Sequence, residues 1–593
     1  MSDKTFQATD YSSLMTHRTS LTHHSSLLRG AKRVFLRIAN QPVLAITFAG
    51  LFSLLVNGSM ALVLGVPPPA VHDEYSYWLA ADTFAHGRLA NPPHPLWIHF
   101  ESMHVLQQPT YASKYPPGQG MAMALGQLLT GRPIVGVWLS SALACAAICW
   151  MLRAWVRPRW ALLGSLVVSL HPLMVDWNHN YWGGSVALLG GTLVLGAVRR
   201  ILTPQCSGGM LSRPFAMNSM PIQETEAAKA WHPVYFDGLW LGLGMAILAN
   251  SRPYEGMILS VLAVATMLAA IWFSRDAQRS VLLGSIFRRI IPQAGLILAL
   301  TVGFMAYYNW RVTGNAMRMP YALYQETYSA SPSFLWGKPR PLPEYRHEEI
   351  RNFWLTFELP IYEGQQGLAG WLKGALWKAG VLFYAAFPSL LVLLSLVGLP
   401  AVLSRGIWPR VALLLVFLFY LALLPVVGMI GHYAAPIAGL FFYLMMESLR
   451  LIRVWRWSGM RVGLWAVRLL LLGWCLWLIP KGIAMNRFDP EDKCRNQSKE
   501  RAAILQRLQN EPGKHLVVVR YSPEHSVHAE WVYNEADIDG ARVIFAREMK
   551  DNRRLLEYFN DRHIWLVEAD ELPPRVTPYP EVSDQKSEVG DGN

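Results

Sequence analysis

Apolar runs alternate with short polar stretches along most of the chain. A membrane-spanning helix needs about 20 predominantly apolar residues, so runs that approach this length predict an α-helical polytopic membrane protein. About eleven transmembrane helices are predicted, at roughly 43–66, 133–152, 160–176, 183–199, 236–250, 256–273, 290–309, 376–403, 411–427, 433–449 and 462–480. A further apolar stretch, Gly118–Leu129, is too short to cross and predicts an interfacial or re-entrant juxtamembrane helix.

Lysine and arginine mark one side of this arrangement. The N-terminal tail (1–40) becomes basic towards its end, and every second loop after the first span is basic as well. Basic loops stay in the cytoplasm, so the N-terminus is predicted to be cytoplasmic. The opposite side then holds a first outer loop (67–132), a second outer loop (310–375) and the chain after about residue 481.

The chain changes character after the last predicted span. Strand-like and helix-like segments alternate there, which predicts a small α/β domain with a partly parallel sheet over residues 481–573. The predicted segments are a helix at 499–510, strands at 515–521, around 542–545 and at 563–569, and a helix at 552–561. From Pro574 to the end, the composition predicts a disordered tail (574–593).

Composition narrows the class of protein. Of the 593 residues, 52% are hydrophobic and 16% are charged, against about a quarter charged in soluble domains. The net charge of +13 is spread over short loops, which favours topology over nucleic-acid binding. The five cysteines predict neither a disulfide framework nor a zinc site. A cleavable signal peptide would need an apolar core nearer Met1, so the first span is expected to remain as an anchor.

Polar side chains gather at the outer ends of the predicted spans. Such groups are costly near a membrane, so a cluster of them is a candidate functional site. The candidates are His72, Asp73, Glu74, Lys114, Asp176, Asn178, His179, Asn180, Asn250, Arg252, Glu255, His432 and Tyr433. Acids, amides and cations at one interface suit a substrate with an anionic head and an apolar tail.

Most of these residues also have a structural interpretation. Asp73 and Glu74 could cap the following helix, and the aromatic residues after them could form an interfacial belt. Asp176 could be ordinary loop polarity. Arg252 breaks the positive-inside pattern, so it either pairs with Glu255 or holds an anion. His432 alone is more often a hydrogen-bonded structural histidine.

Several of these features resemble the GT-C superfamily of membrane glycosyltransferases, in particular its protein mannosyltransferase-like and aminoarabinose-transferase-like branch. The resemblance depends on the acidic pair Asp73-Glu74 after the first span, the amphipathic helix behind it, the stretch KYPPGQG (114–120) and a second outer acid, Asp176. It covers roughly residues 40–450, within an expected transmembrane domain at 41–480. The C-terminal α/β domain lies outside it and is expected to be periplasmic.

The resemblance implies a multi-pass protein of the bacterial inner membrane. Such enzymes move a sugar from a polyprenyl-phosphate carrier to a lipid, glycan or protein acceptor on the extracytoplasmic face. Asp73 would be the general base, with a pKa raised by partial desolvation, and Glu74 would assist it. The implied donor-phosphate ligands are Lys114, Arg252 and His432. The implied acceptor or sugar pocket contains Asp176, His179, Asn180 and Tyr433.

Two departures from the family pattern leave questions open. Tyr115 interrupts the usual Lys-Pro-Pro, and His432 stands where many members carry arginine. His72, Asp73 and Glu74 could contribute to a divalent-cation site, but the ligand set is incomplete, so no metal or other cofactor is expected.

Two other functions fit parts of the pattern. A transporter or flippase of lipid-linked sugars would place polar residues near mid-membrane and show inverted repeats. A glycan polymerase or ligase would use a long, basic outer loop, and loop 310–375 is such a loop. The C-terminal domain is expected to recognise the acceptor or to brace that loop.

Overall fold

The computed structural model describes residues 29–203, 236–386, 390–485 and 493–580. A helical bundle forms most of it, with helices at 29–40, Pro42–Leu64, Pro133–Trp155, Pro158–Ser169, Pro172–Asn178, Gly184–Ile201, Asp237–Ala249, Pro253–Trp272, Asp276–Ser285, Ile291–Thr313, Gly367–Ala386, Leu390–Ser404, Ile407–Leu423, Ala438–Ile452 and Val462–Met485. A π-helical turn (Ile286–Ile290) joins two of these helices, and a 3-10 turn (Gly431–Ile437) precedes another.

The outer loops carry their own short elements. The first outer loop contains a helix at His72–Ala85, called here the first outer helix, and a second outer helix at Pro117–Thr130. Between them lie a 3-10 turn at Trp97–Phe100 and the antiparallel strands β1 (Val105–Leu106) and β2 (Ala112–Ser113). The second outer loop holds helices at Pro320–Tyr328, Glu348–Asn352 and Leu359–Glu363, with a π-helical turn at Phe353–Glu358.

Proline sets many helix starts. Its fixed φ suits the first helical position, where the missing N–H would have no partner. Helices therefore begin at Pro42, Pro117, Pro133, Pro158, Pro172, Pro253 and Pro320. Pro172 also breaks the predicted span 160–176 into two helices bent by 53°, because the residue before a proline avoids the helical region.

The helical membrane class is confirmed, whereas the number of spans stays a prediction. Among the described residues, six helices are long and apolar enough to cross a membrane, and the bent pair would make a seventh. The predicted span 290–309 belongs to a continuous helix of 36 residues, Gln278–Thr313. The predicted span 376–403 is divided between Gly367–Ala386 and Leu390–Ser404.

Small residues let the second outer helix pack closely on the bundle. A Cβ added at Gly136 would lie 1.9 Å from the carbonyl oxygen of Ala122, and one added at Gly126 would lie 2.1 Å from the nitrogen of Gly136. The short apolar stretch thus forms a separate helix, as predicted. This helix packs closely against helix Pro133–Trp155. Its other face exposes Met121, Leu125, Leu128 and Leu129.

The C-terminal α/β domain (493–580) is confirmed in its main elements. Its helices are Lys493–Asn510 and Arg553–Tyr558, and its strands are β3 (His515–Arg520), β4 (Val543–Arg547), β5 (His563–Glu568) and β6 (Arg575–Pro578). The sheet order is β4-β3-β5-β6, with β3 parallel to β4 and β5, and β6 antiparallel to β5.

Strand β6 corrects the prediction that the chain is disordered from Pro574. It is short and lies at the sheet edge, so its sequence lacks the apolar alternation of a half-buried strand. It is held by pairing with β5, from Trp565↔Pro578 to Glu568↔Arg575. The rest of the predicted tail, 581–593, lies outside the described residues.

The central strand β3 has both faces covered. Leu516 and Val518 pack in a cluster with Tyr75 and Leu79 of the first outer helix. Val517 and Val519 face the other way, in a cluster with residues of helix Lys493–Asn510. Burial on both faces explains the continuous apolar run HLVVV.

This docking corrects the expectation that the aromatic residues after Asp73 form an interfacial belt. Tyr75 and Tyr77 are buried. The Tyr75 ring stacks on Tyr533 of the C-terminal domain, with ring centres 4.4 Å apart, and Tyr77 stacks on Tyr115 at the same distance. The first outer helix is therefore enclosed between the bundle and the C-terminal domain.

Candidate active site

Glu74 fixes the start of the first outer helix. Its Oε2 accepts hydrogen bonds from the backbone N–H groups of Ala70 at 2.6 Å and Val71 at 3.4 Å, and its Oε1 accepts one from Tyr181 at 2.9 Å. The side chain is buried. Both carboxylate oxygens are thus used to cap the helix and to anchor the turn that contains Tyr181.

Asp73, the adjacent acid, faces a different environment. Its side chain is 26% exposed. His72 Nδ1 lies 3.1 Å from Oδ2, the Tyr115 hydroxyl donates to Oδ1, and His104 Nε2 lies 3.8 Å from Oδ2. Asp73 is therefore the acid of the pair that can reach a substrate.

The two acids have opposite pKa shifts. Burial raises the pKa of Glu74 to about 7, although its backbone hydrogen bonds act against this rise. Burial also acts to raise the pKa of Asp73, but His104, His72 and Lys114 outweigh it and hold that pKa well below its usual value. The expectation of a raised pKa for Asp73 is therefore wrong, because its neighbours donate to or attract the charged form.

Lys114 lies within a cage of tyrosines. Its Nζ is 5.1 Å from the ring centres of Tyr115 and Tyr321 and 4.8 Å from that of Tyr324. Burial lowers the pKa of Lys114 to about 8, against the smaller opposing effects of Asp73 and Glu358. Within the described part of the chain, no carboxylate forms an ion pair with Lys114. An ammonium group stabilised mainly by aromatic rings can accept an anionic ligand.

A backbone hydrogen bond connects the segment that contains Lys114 to the segment that contains Arg252. The N–H of Gly118 donates to the carbonyl oxygen of Asn250 at 2.7 Å, which ties the stretch 114–120 to the turn before Arg252. The Arg252 guanidinium lies 4.8 Å from the centre of the Tyr433 ring. Among the residues described, no ion pair joins Arg252 to Glu255, yet Glu255 acts electrostatically on Arg252, so pairing with Glu255 and anion binding both stay predictions.

His432 and Tyr433 reach the same region on the 3-10 turn Gly431–Ile437. A Cβ added at Gly191 would lie 1.9 Å from the carbonyl oxygen of Pro436, so this turn rests directly on a bundle helix. His432 is buried with its ring edge-on to Trp182, at 5.2 Å between ring centres.

The predicted pocket residues Asp176, His179 and Asn180 form a more local structure. Asp176 is exposed, and its carbonyl oxygen accepts from the N–H of His179 at 3.0 Å. Asn180 Oδ1 accepts from the N–H of Trp182 at 3.0 Å. Burial and Arg495 lower the pKa of His179. The N–H of Tyr181 joins this turn to Glu74 at 2.9 Å, and a direct role of the turn in a pocket stays a prediction.

Sequence reasoning missed several residues beside Asp73. His104, in the left-handed region at φ 66°, comes from the first outer loop. Tyr321 and Tyr324 come from the second outer loop. His528 comes from the C-terminal domain, with Nδ1 3.4 Å from His72 Nε2. No spacing in the sequence marks these residues, because folding brings them together from three separate segments.

Three side chains at this place could hold a divalent cation. The ligand atoms of His72, Asp73 and His104 all lie within 4.8 Å of one another. Glu74, which the sequence placed in such a set, has both oxygens occupied by backbone N–H groups. The candidate ligand set is therefore corrected by replacing Glu74 with His104.

No protein-family model and no curated protein matches the chain. Among solved structures, the chain is similar to ArnT from Cupriavidus metallidurans bound to undecaprenyl phosphate, with a TM-score of 0.47 and 12% identity over 87% of this chain and 92% of that chain. It is also similar to the Archaeoglobus fulgidus oligosaccharyltransferase in complex with Zn and sulfate, with a TM-score of 0.44 and 12% identity over 80% of this chain. The match spans 60% of the length of that oligosaccharyltransferase.

Proposed function

We propose that the protein is a membrane glycosyltransferase that moves a sugar from a polyprenyl-phosphate donor to a hydroxyl group of a lipid, glycan or protein. One observation supports this most strongly: the partly exposed Asp73 accepts a hydrogen bond from Tyr115, and the ring of Tyr115 belongs to the cage around Lys114. We place the reaction at the extracytoplasmic face of a bacterial inner membrane, with a cytoplasmic N-terminus and a periplasmic C-terminal domain.

Asp73 would act as the general base. Its low pKa keeps the carboxylate in the proton-accepting form across the physiological pH range. As the acceptor oxygen attacks the anomeric carbon, the bond from that carbon to the phosphate oxygen breaks and the acceptor proton passes to Asp73. The acceptor hydroxyl becomes far more acidic during the attack, so a weakly basic carboxylate can take its proton. The hydrogen bonds from His72 and Tyr115 orient the group.

Lys114 and Arg252 would hold the departing lipid phosphate. Both cations face aromatic rings. A phosphate that gains negative charge as the sugar leaves would be stabilised by such preorganised cations. His432 and Tyr433 would line the same side, and Glu74 would position Asp73 through its cap of the first outer helix.

The polymerase or ligase alternative receives less support from the second outer loop. Two of its basic residues are used within the protein: His347 Nε2 lies 2.9 Å from the carbonyl oxygen of Ile98, and Arg340 donates to the carbonyl oxygen of Gln325 at 2.6 Å. Arg547 of the C-terminal domain pairs with Glu349 of this loop at 2.9 Å. These contacts favour a bracing role for the C-terminal domain.

The test is transfer of a labelled sugar from a polyprenyl-phosphate-linked donor by the purified full chain. Asp73→Asn removes the proton acceptor with little change in volume, and we expect a loss of about 10²–10⁴-fold in turnover. Asp551→Asn, at an exposed acid of the C-terminal domain, is the matched control. Size-exclusion behaviour and apparent Tm should match between the variants. Undiminished turnover in Asp73→Asn would remove Asp73 as the base.

A further inference from the structure

Two imidazoles and one carboxylate converge at the start of the first outer helix. His72 Nδ1 and Asp73 Oδ2 are 3.1 Å apart, and Asp73 Oδ2 and His104 Nε2 are 3.8 Å apart. In a tetrahedral zinc site, bonds of about 2.0–2.2 Å separate neighbouring ligand atoms by roughly 3.4 Å. Both distances lie close to that value, and all three ligand atoms lie within 4.8 Å of one another, so a movement of the His104 ring towards His72 would bring them to three corners of a tetrahedron.

The donor atoms define the kind of ion. Imidazole nitrogen together with one carboxylate suits Zn²⁺ and its first-row neighbours, whereas Mg²⁺ and Ca²⁺ take oxygen ligands. Asp73 is 26% exposed while both histidine side chains are 5% exposed. The two histidines are therefore held in place by the fold, and the carboxylate is the ligand that solvent reaches.

The surroundings of His72 fit ligation. A metal-bound histidine usually donates its second ring N–H to an outer partner, and His72 Nε2 lies 3.4 Å from His528 Nδ1. The ring of His104 would ligate through Nε2, and its Nδ1 is buried without a hydrogen-bond partner among the described residues. The outer partner described here therefore belongs to His72.

We infer that His72, Asp73 and His104 form a binding site for a divalent transition-metal ion of the Zn²⁺ class, with His528 of the C-terminal domain as outer partner. A metal ion on Asp73 competes with a proton for the same carboxylate. On the proposed function, occupancy of this site therefore inhibits sugar transfer.

The closing experiment titrates the detergent-solubilised full chain with Zn²⁺ alone by calorimetry, with Co²⁺ absorption reporting the coordination. We expect one ion per chain and a tetrahedral Co²⁺ spectrum. His104→Ala should abolish this binding, and His528→Ala should weaken it by about tenfold. His525→Ala is the matched control, because His525 forms a pair with Asp570 at 2.7 Å and belongs to no group of three candidate ligands among the described residues.

A second variant tests the site by a gain of affinity, which misfolding does not produce. Lys114 acts electrostatically on Asp73 and His104, so Lys114→Met should tighten Zn²⁺ binding several-fold. Three results would each overturn the metal site: no one-to-one binding of Zn²⁺, Zn²⁺ binding that persists in His104→Ala, or weaker Zn²⁺ binding in Lys114→Met. These readouts do not require activity, so a chain that transfers no sugar refutes the proposed function without affecting this test. If Zn²⁺ binds and the rate of sugar transfer does not fall, the inferred inhibition is wrong.

Discussion

Two polar clusters that the sequence predicts on the outer side differ in the structure. Around Asp73, side chains from the first outer loop, the second outer loop and the C-terminal domain meet. In the turn at 176–182, backbone groups bond near neighbours, from His179 to Asp176 and from Trp182 to Asn180, while the Asn178 side chain donates to Asn57 of helix Pro42–Leu64 at 2.7 Å. A density of polar residues can reflect a turn that satisfies its own backbone, whereas convergence of distant segments indicates a site.

The largest effect that tests this comparison is expected at Lys114. Lys114→Met should lower transfer by about 100-fold, because a preorganised charge at the leaving phosphate is lost. The exposed Lys338→Met is the control. In the wild type, kcat/KM should also fall as the pH rises through about 8, where the buried Lys114 loses its proton. A wild-type profile that stays flat above pH 8 would contradict this role.

A packing change away from the polar groups should have the next largest effect. In Gly191→Ala, the new Cβ would lie 1.9 Å from the carbonyl oxygen of Pro436. The 3-10 turn that carries His432 and Tyr433 must then shift, at a cost of about 1–3 kcal/mol for overpacking. We expect roughly a tenfold loss of transfer with a lower apparent Tm. Gly303→Ala, whose Cβ would meet nothing within 4 Å, should resemble the wild type.

Glu74 should affect stability and its pH dependence. Its folded pKa of about 7 exceeds the value of 4.5 expected for an unfolded chain. Between these values the folded state binds more protons, so stability falls as the pH rises and reaches its full loss above pH 7, by at most about 3 kcal/mol. Glu74→Gln should remove this slope in apparent Tm between pH 5.5 and 8. An unchanged slope would mean that another group titrates.

The smallest effect is expected in the turn at 176–182. Asn180→Ala should change transfer by less than about threefold, since its side chain is bonded to the neighbouring Trp182 N–H and surface changes are usually small. Measured kcat and KM for the acceptor would show this. A tenfold rise in the acceptor KM would instead place the turn in the pocket and remove the contrast between the clusters.

The sequence predicted the secondary-structure elements better than the tertiary contacts between them. The length of the apolar runs predicted helices, and alternating segments predicted strands β3, β4 and β5. Asp73 and Lys114 stood out because polar groups at span ends are costly. Strand β6 was missed because pairing at an edge, rather than its own pattern, holds it in place.

The chemistry within the site depended on tertiary contacts that no local pattern encodes. Asp73 and Glu74 are neighbours in the chain, yet their pKa values move in opposite directions. That difference comes from His104 and Lys114 on one side and from the backbone of Ala70 and Tyr181 on the other. The tyrosine cage of Lys114 likewise needs residues from the second outer loop.

The stack of Tyr75 on Tyr533 has a consequence for biosynthesis. The first outer helix emerges from the ribosome early, whereas the strands and loop that cover it are made last and must be delivered to the same side of the membrane. Until then, the helix that carries Asp73 lacks its partner ring, and His72 lacks His528. Completion of the candidate site is thereby coupled to completion of the chain, so a prematurely terminated product would lack the residues that enclose Asp73.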